Sequence, residues 1–126
     1  MKTSFSEMDA IFKRTKNASD EFMGLIMPIV EASVDDHERL YWHHIYEEEE
    51  HRSDRLDILM PKIESILNNG GEVPYSQHEF VHLLQDISIE KFGLHNFLEH
   101  LDLSLFHFKG TEFEARVTEM REFTYA

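Results

Sequence analysis

Asn68-Asn69-Gly70-Gly71-Glu72-Val73-Pro74 is the stretch that decides how this chain folds. Asparagine, glycine and proline crowded together end regular structure, so the stretch reads as a loop. On both sides lie long segments whose apolar residues recur at helical spacing rather than in alternation. Just after the loop, Ser76 is followed three positions on by Glu79, the pairing that satisfies free N–H groups at a helix start. The same signature stands at Ser4/Glu7, Asp35/Glu38 and Thr111/Glu114, and Gly110 is placed to end a helix. A less marked turn falls at Ser33-Val34-Asp35. Together these signals predict helices over about 5–33, 36–67, 77–107 and 112–126. The first three would run roughly 45 Å at 1.5 Å per residue, the habit of an up-down bundle. The expected fold is all-α: one domain over 1–126, an antiparallel four-helix bundle whose fourth helix is short or truncated. Pro28 and Pro61 are expected to bend or interrupt helices one and two.

Composition narrows the function. The 126 residues are enough for one domain with its own core, and 41% are hydrophobic. The formal net charge of -13 disfavours nucleic acid and anionic membranes and attracts cations. No cysteine is present, which excludes disulfides, thiolate metal sites and thiol chemistry. No run approaches the ~18 apolar residues of a membrane span, and Met1-Lys2-Thr3-Ser4-Phe5 lacks the apolar stretch of a signal peptide. A soluble, cytoplasmic protein is expected.

The chemistry concentrates in His43-His44-Ile45-Tyr46-Glu47-Glu48-Glu49-Glu50-His51. His44-x-x-x-Glu48 and Glu48-x-x-His51 put a carboxylate between two imidazoles on one helix face, a ligand set suited to divalent transition metals. A second cluster, His95-Asn96-Phe97-Leu98-Glu99-His100, repeats the His-x-x-x-Glu spacing. Reflecting helix two onto helix three about a turn near residue 72 sets Glu48 level with residue 96. Phase, at about 100° per residue, places Glu48 in the middle of a stripe defined by Tyr41, Ile45, Leu56, Leu59, Ile63 and Ile66. His44 and His51 fall on its shoulder, and Glu47 and Glu50 point to solvent. On helix three the stripe is Phe80, Leu84, Ile87, Leu98 and Leu105, with His95 near its centre and Glu99 and Asp102 alongside. Glu21, Glu119 and Glu122 on helices one and four do not face inward.

Blander readings compete. Arg52, Arg55 and Lys91 lie near the inward stripes, so Glu48 has candidate partners for a buried ion network that needs no metal. His37, His43, His78, His82 and His107 read as surface or packing residues, with His100 close to them. Met8, Met23, Met27 and Met60 read as core, and Trp42 as a helix–helix or subunit contact.

The stretches from His37 to Arg52 and from Ile89 to His100 together resemble those of the iron-mineralising, ferritin-like cargo proteins of encapsulin nanocompartments. The resemblance implies a helical bundle, ferroxidase activity, a di-iron centre and packaging inside an encapsulin shell, docked through a short C-terminal tail that would lie beyond Ala126. Common ferritin-like proteins draw ligands from all four helices, with Glu-x-x-His on two of them. Here only Glu48-x-x-His51 fits, which points to a site shared across a homodimer interface.

The resulting expectation is a ferroxidase that oxidises Fe(II) with dioxygen for iron storage. Glu48 would bridge two irons, with His44, His51, His95 and Glu99 as terminal ligands and Glu48 and His51 central to catalysis. Two other readings stand beside it: a hemerythrin-like oxygen or metal binder, and a metal-free helical interaction module.

Overall fold

The helix starts and stops written into the sequence are nearly all used. In the computed structural model, which describes residues 5–70 and 76–125 (side chains as far as 122), α1 spans Phe5–Ala32, α2 Asp36–Asn68, α3 Gln77–Phe108 and α4 Glu114–Tyr125. Asp35 caps α2 by accepting from His37 N at 3.1 Å. Ser76 caps α3 by accepting from Glu79 N at 3.3 Å, and its hydroxyl lies 3.2 Å from Glu79 Oε1. Gly70 and Gly110 take φ of 68° and 79° after α2 and α3, a region costly for other residues. Helix four begins two residues later than expected, because Glu114 reaches back to Gly110 N at 2.9 Å and closes a turn ahead of the helix. Ser4, from the first capping signature, and residues 71–75 of the decisive loop lie outside the described residues.

Pro28 and Pro61 do not interrupt their helices: α1 and α2 each run through. Both prolines sit on exposed faces, where the lost backbone hydrogen bond opens toward solvent instead of the core.

The helices form an antiparallel four-helix bundle with a short fourth helix. α1 packs along α2 most extensively, α4 packs chiefly on α3, and the α2–α3 and α1–α4 contacts are sparser. The core falls into two clusters. One joins Phe22, Ile26, Trp42, Ile45, Phe97, Leu101, Phe108, Val117 and Met120, with Phe22 and Phe97 meeting edge to face at 6.1 Å. The other joins Met8, Phe12, Leu56, Leu59, Ile63, Ile66, Leu83 and Ile87. Each fully buried large side chain contributes roughly 1.5–3 kcal/mol, so each half carries its own apolar drive. Between the clusters lies a layer of buried polar residues: Thr15 and Ser19 on α1, Glu49, Arg52 and Ser53 on α2, and Glu90 and His100 on α3.

The inward lines differ from the expected stripes. On α2 the buried line is Trp42, Ile45, Glu49, Arg52, Leu56, Leu59, Ile63 and Ile66; Tyr41 is 42% exposed. On α3, Leu83, Leu101 and Phe108 are buried where Leu84 and Leu105 were expected. Leu84 faces solvent, and Phe80 and Leu105 are half-buried.

Candidate metal centre

The inward line of α2 alternates steps of three and four from Trp42 to Ile66, and Glu49 occupies one of its places. This carboxylate is 0% exposed. Its Oε1 accepts from Ser19 Oγ at 2.9 Å; its Oε2 is 2.5 Å from His100 Nδ1 and pairs with Arg52 Nη1. Burial pushes the Glu49 carboxyl up, but the His100 hydrogen bond and the charge and hydrogen bond of Arg52 outweigh it and hold the group below the usual carboxylate range. Arg52 extends the network to α3, donating through Nη2 to Gly93 O at 3.1 Å and Asn96 Oδ1 at 2.8 Å, with its guanidinium 5.5 Å from the Phe97 ring centroid. Beyond it, Glu90 accepts from Arg55 Nε at 2.5 Å. Arg52 Nε and Glu90 Oε2 are buried without hydrogen-bond partners, and both border Gly93: a Cβ there would lie 3.8 Å from the first and 3.9 Å from the second.

Glu48 sits one step round the helix at the edge of this layer, its side chain 34% exposed. His44 Nε2 lies 2.5 Å from one of its oxygens and His100 Nε2 lies 3.2 Å from the other. The His100 ring therefore spans two carboxylates, Glu49 in the core and Glu48 at the surface. An imidazole held at one nitrogen by a buried carboxylate, with the other turned to a more accessible one, is how proteins orient histidine toward a cation.

Two expectations are corrected here. Glu49, not Glu48, occupies the inward position, because the line of α2 runs through Trp42 instead of Tyr41, a rotation of about 100°. His100, not His95, is the α3 histidine that meets the Glu48–Glu49 pair, one helical turn further along than reflection about residue 72 suggests. His95 is exposed, its ring 6.4 Å from that of Phe92, and His51 and Glu99 are exposed as well. Glu47 and Glu50 face solvent as expected, with Glu47 paired to His43 at 2.9 Å. The metal-free ion network anticipated for Glu48 exists, but its members are Glu49 with Arg52 and Glu90 with Arg55. Glu21 is half-exposed and bound to Arg116 of α4, so it supplies nothing to the layer.

The donor chemistry of Glu48, His44 and His100 is that of a transition-metal ligand set. Within one chain the set is partial: among the described residues no group of three or more histidine, aspartate or glutamate side chains is arranged to hold an ion. His44 and Glu48 of this set reach solvent, whereas His100 is buried. His51, His95 and Glu99 are exposed elsewhere on α2 and α3, as are large apolar side chains, among them Phe92 at 81% exposure and Phe106 at 84%.

Comparison with known proteins agrees with this architecture. The family model described as "IMEF cargo Flp protein" matches residues 8–126. A "Ferritin-like protein" of Bacillus thermotolerans is 46% identical over 127 residues, an alignment covering 99% of this chain and 66% of the relative; the chain thus spans about two thirds of that protein's length. A solved structure described as "Crystal structure of an Iron binding protein" superposes with a TM-score of 0.89 at 46% identity, covering 96% of this chain and 87% of that one.

Proposed function

The chain belongs to the IMEF cargo Flp family, and from that premise and the geometry at Glu48 we propose that it binds Fe(II) and oxidises it with dioxygen inside an encapsulin shell. The observation that carries the reading is the partly exposed carboxylate of Glu48, engaged by His44 at 2.5 Å and by the buried His100 at 3.2 Å. The iron-binding description of the structural neighbour and the ferritin-like description of the relative support iron as the substrate metal.

Each group has a role that follows from its chemistry. Glu48 has two oxygens and is the candidate to bridge two irons. His44 and His100 flank it, and the exposed His51, His95 and Glu99 are the further donors this reading draws on. Carboxylates offset the added positive charge as Fe(II) becomes Fe(III), while imidazoles favour retention of the divalent ion. The Glu49–Arg52 pair keeps the His100 ring in place, so its Nε2 is directed without rearrangement when iron arrives. The net charge of -13 draws cations toward the protein.

A second copy completes the site in this reading. A two-fold interface uses one patch twice, so a partial ligand set on each chain becomes a full one between them. Covering Phe92 and Phe106 gives such a dimer its hydrophobic drive. Packaging within the shell follows from the family's nature as cargo.

Anaerobic Fe(II) titration followed by admission of air tests the assignment. The wild-type chain is expected to bind Fe(II) saturably and oxidise it quickly, and Glu48→Ala to be slower by at least about tenfold, or ~1.4 kcal/mol of barrier. Oxidation by Glu48→Ala at the wild-type rate removes the proposal. A metal-free helical module is the competing reading, favoured by the engagement of both Glu48 oxygens by histidines; it predicts no saturable Fe(II) binding.

A further inference from the structure

His78 and His82 lie one turn apart near the start of α3, and both are exposed. Their ring centroids are 4.6 Å apart and the ring planes are inclined at 79°. Two imidazoles that share one ion at the usual ~2.1 Å metal–nitrogen distance, with a ligand angle between square and tetrahedral, bring their centroids to roughly 4.5–5.2 Å. The observed spacing falls in that window with the rings on adjacent turns of one helix. Residues four apart on a helix keep this relation through the helix itself, independently of the bundle.

The surroundings suit a cation. His82 lines a groove of about 180 Å³ with Glu79, Leu83 and Asp86 of α3 and Lys62 of α2, so two carboxylates and one ammonium face it. The chain as a whole carries a formal charge of -13. The pair stands far from the candidate iron centre: His82 precedes His100 by roughly 27 Å of helix at 1.5 Å per residue.

We propose that His78 and His82 together chelate one divalent transition ion, with water completing its coordination. Imidazole donors select Cu(II), Ni(II) and Zn(II), in the order that nitrogen ligands impose, over Mg(II) and Ca(II), which take oxygen. Two protein donors make the site exchangeable, so it captures ions at the end of the bundle where α2 gives way to α3. The proposal does not rest on the iron reading, because it shares no residue with the Glu48 centre.

Calorimetric titration of the full chain, without any affinity tag, with Ni(II) tests it. With Glu48→Ala removing any Ni(II) held at the Glu48 centre, that variant is expected to keep one Ni(II) site. His82→Ala is expected to weaken that site by about tenfold or more, since half of its protein donors are gone. Circular dichroism controls for folding, which an exposed helical His→Ala change leaves intact. Cu(II) electron paramagnetic resonance in the Glu48→Ala background supplies a direct count: hyperfine structure from two nitrogens with His82 present and from one with His82→Ala added. Iron oxidation by His82→Ala is expected at the wild-type rate. Unchanged Ni(II) affinity when His82→Ala is added to Glu48→Ala, or loss of the site in Glu48→Ala alone, overturns the proposal.

Discussion

Glu48 keeps about a third of its side-chain surface in water, at 34%, whereas Glu49, the next residue, keeps none. Both touch the same imidazole: His100 reaches Glu48 through Nε2 and Glu49 through Nδ1. The inner carboxylate is fixed by Ser19, Arg52 and His100, while the outer one is held by histidines alone. A carboxylate compensated on every side is structural; one whose partners are exchangeable imidazoles at a surface is available to a cation. Identical side chains one position apart thus divide the labour between holding and binding.

Removing the inner carboxylate separates these roles most sharply. Glu49→Ala leaves Arg52 buried without its anion, and breaking a buried pair in this way costs about 3–5 kcal/mol. Glu48→Ala is expected to change stability by less than about 1 kcal/mol, since the side chain is partly exposed, His44 faces water and the buried His100 keeps its bond to Glu49. Urea unfolding of the two variants beside the wild type measures both, and equal losses would break the division of roles.

The pH dependence of stability sharpens the comparison further. Glu49 titrates below its ordinary value of 4.5 in the fold, so the unfolded chain binds its proton more readily. Its contribution is fully present above that ordinary value and is lost as pH falls from there through the lower folded value. Glu49→Gln cannot titrate, so its thermal midpoint is expected to fall less steeply than that of the wild type as the solution is acidified below about 4.5. Parallel curves for the two proteins would detach Glu49 from the acid limb.

The smallest effect is expected where the ion pair is exposed. Arg116 of α4 meets Glu21 and Glu119 at side chains that all remain more than a third exposed. Arg116→Ala is expected to cost only ~0.2–1 kcal/mol, and less at high salt, because water already solvates both partners. Urea midpoints at low and high ionic strength check this. A loss as large as that of Glu49→Ala would mean that burial is not what separates the two networks.

The fold was legible because helix ends are local. Ser76, Asp35 and Gly110 announce themselves without reference to the rest of the chain, and each performs its predicted task. The bundle and its short last helix follow from those boundaries. The candidate site was legible as a neighbourhood, with its histidines and carboxylates on α2 and α3, but not in its rotation or level. Rotation went astray at Tyr41 and Trp42, adjacent aromatics that fit a stripe equally well until packing chooses the larger. It went astray also because Glu49 and Arg52 lie on the buried line, and a reading that counts only apolar residues passes over them. Taking the line as steps of three and four from Trp42 would have found Glu49. The level of His100 depends on the path of the connection between α2 and α3, which spacing along the chain does not encode.

The polar layer between the two core clusters has a consequence for uniqueness. Leucines, isoleucines and phenylalanines tolerate a neighbour displaced by one turn, since any apolar contact is nearly as good as another. Sliding α3 past α2 by a turn would therefore leave both clusters largely satisfied. It would also carry His100 away from Glu49, and Gly93 O and Asn96 away from Arg52, stranding charge in the interior. The layer acts as a pin through the bundle, admitting one register of the helices and rejecting neighbouring ones, much as a single buried asparagine fixes the alignment of a coiled coil.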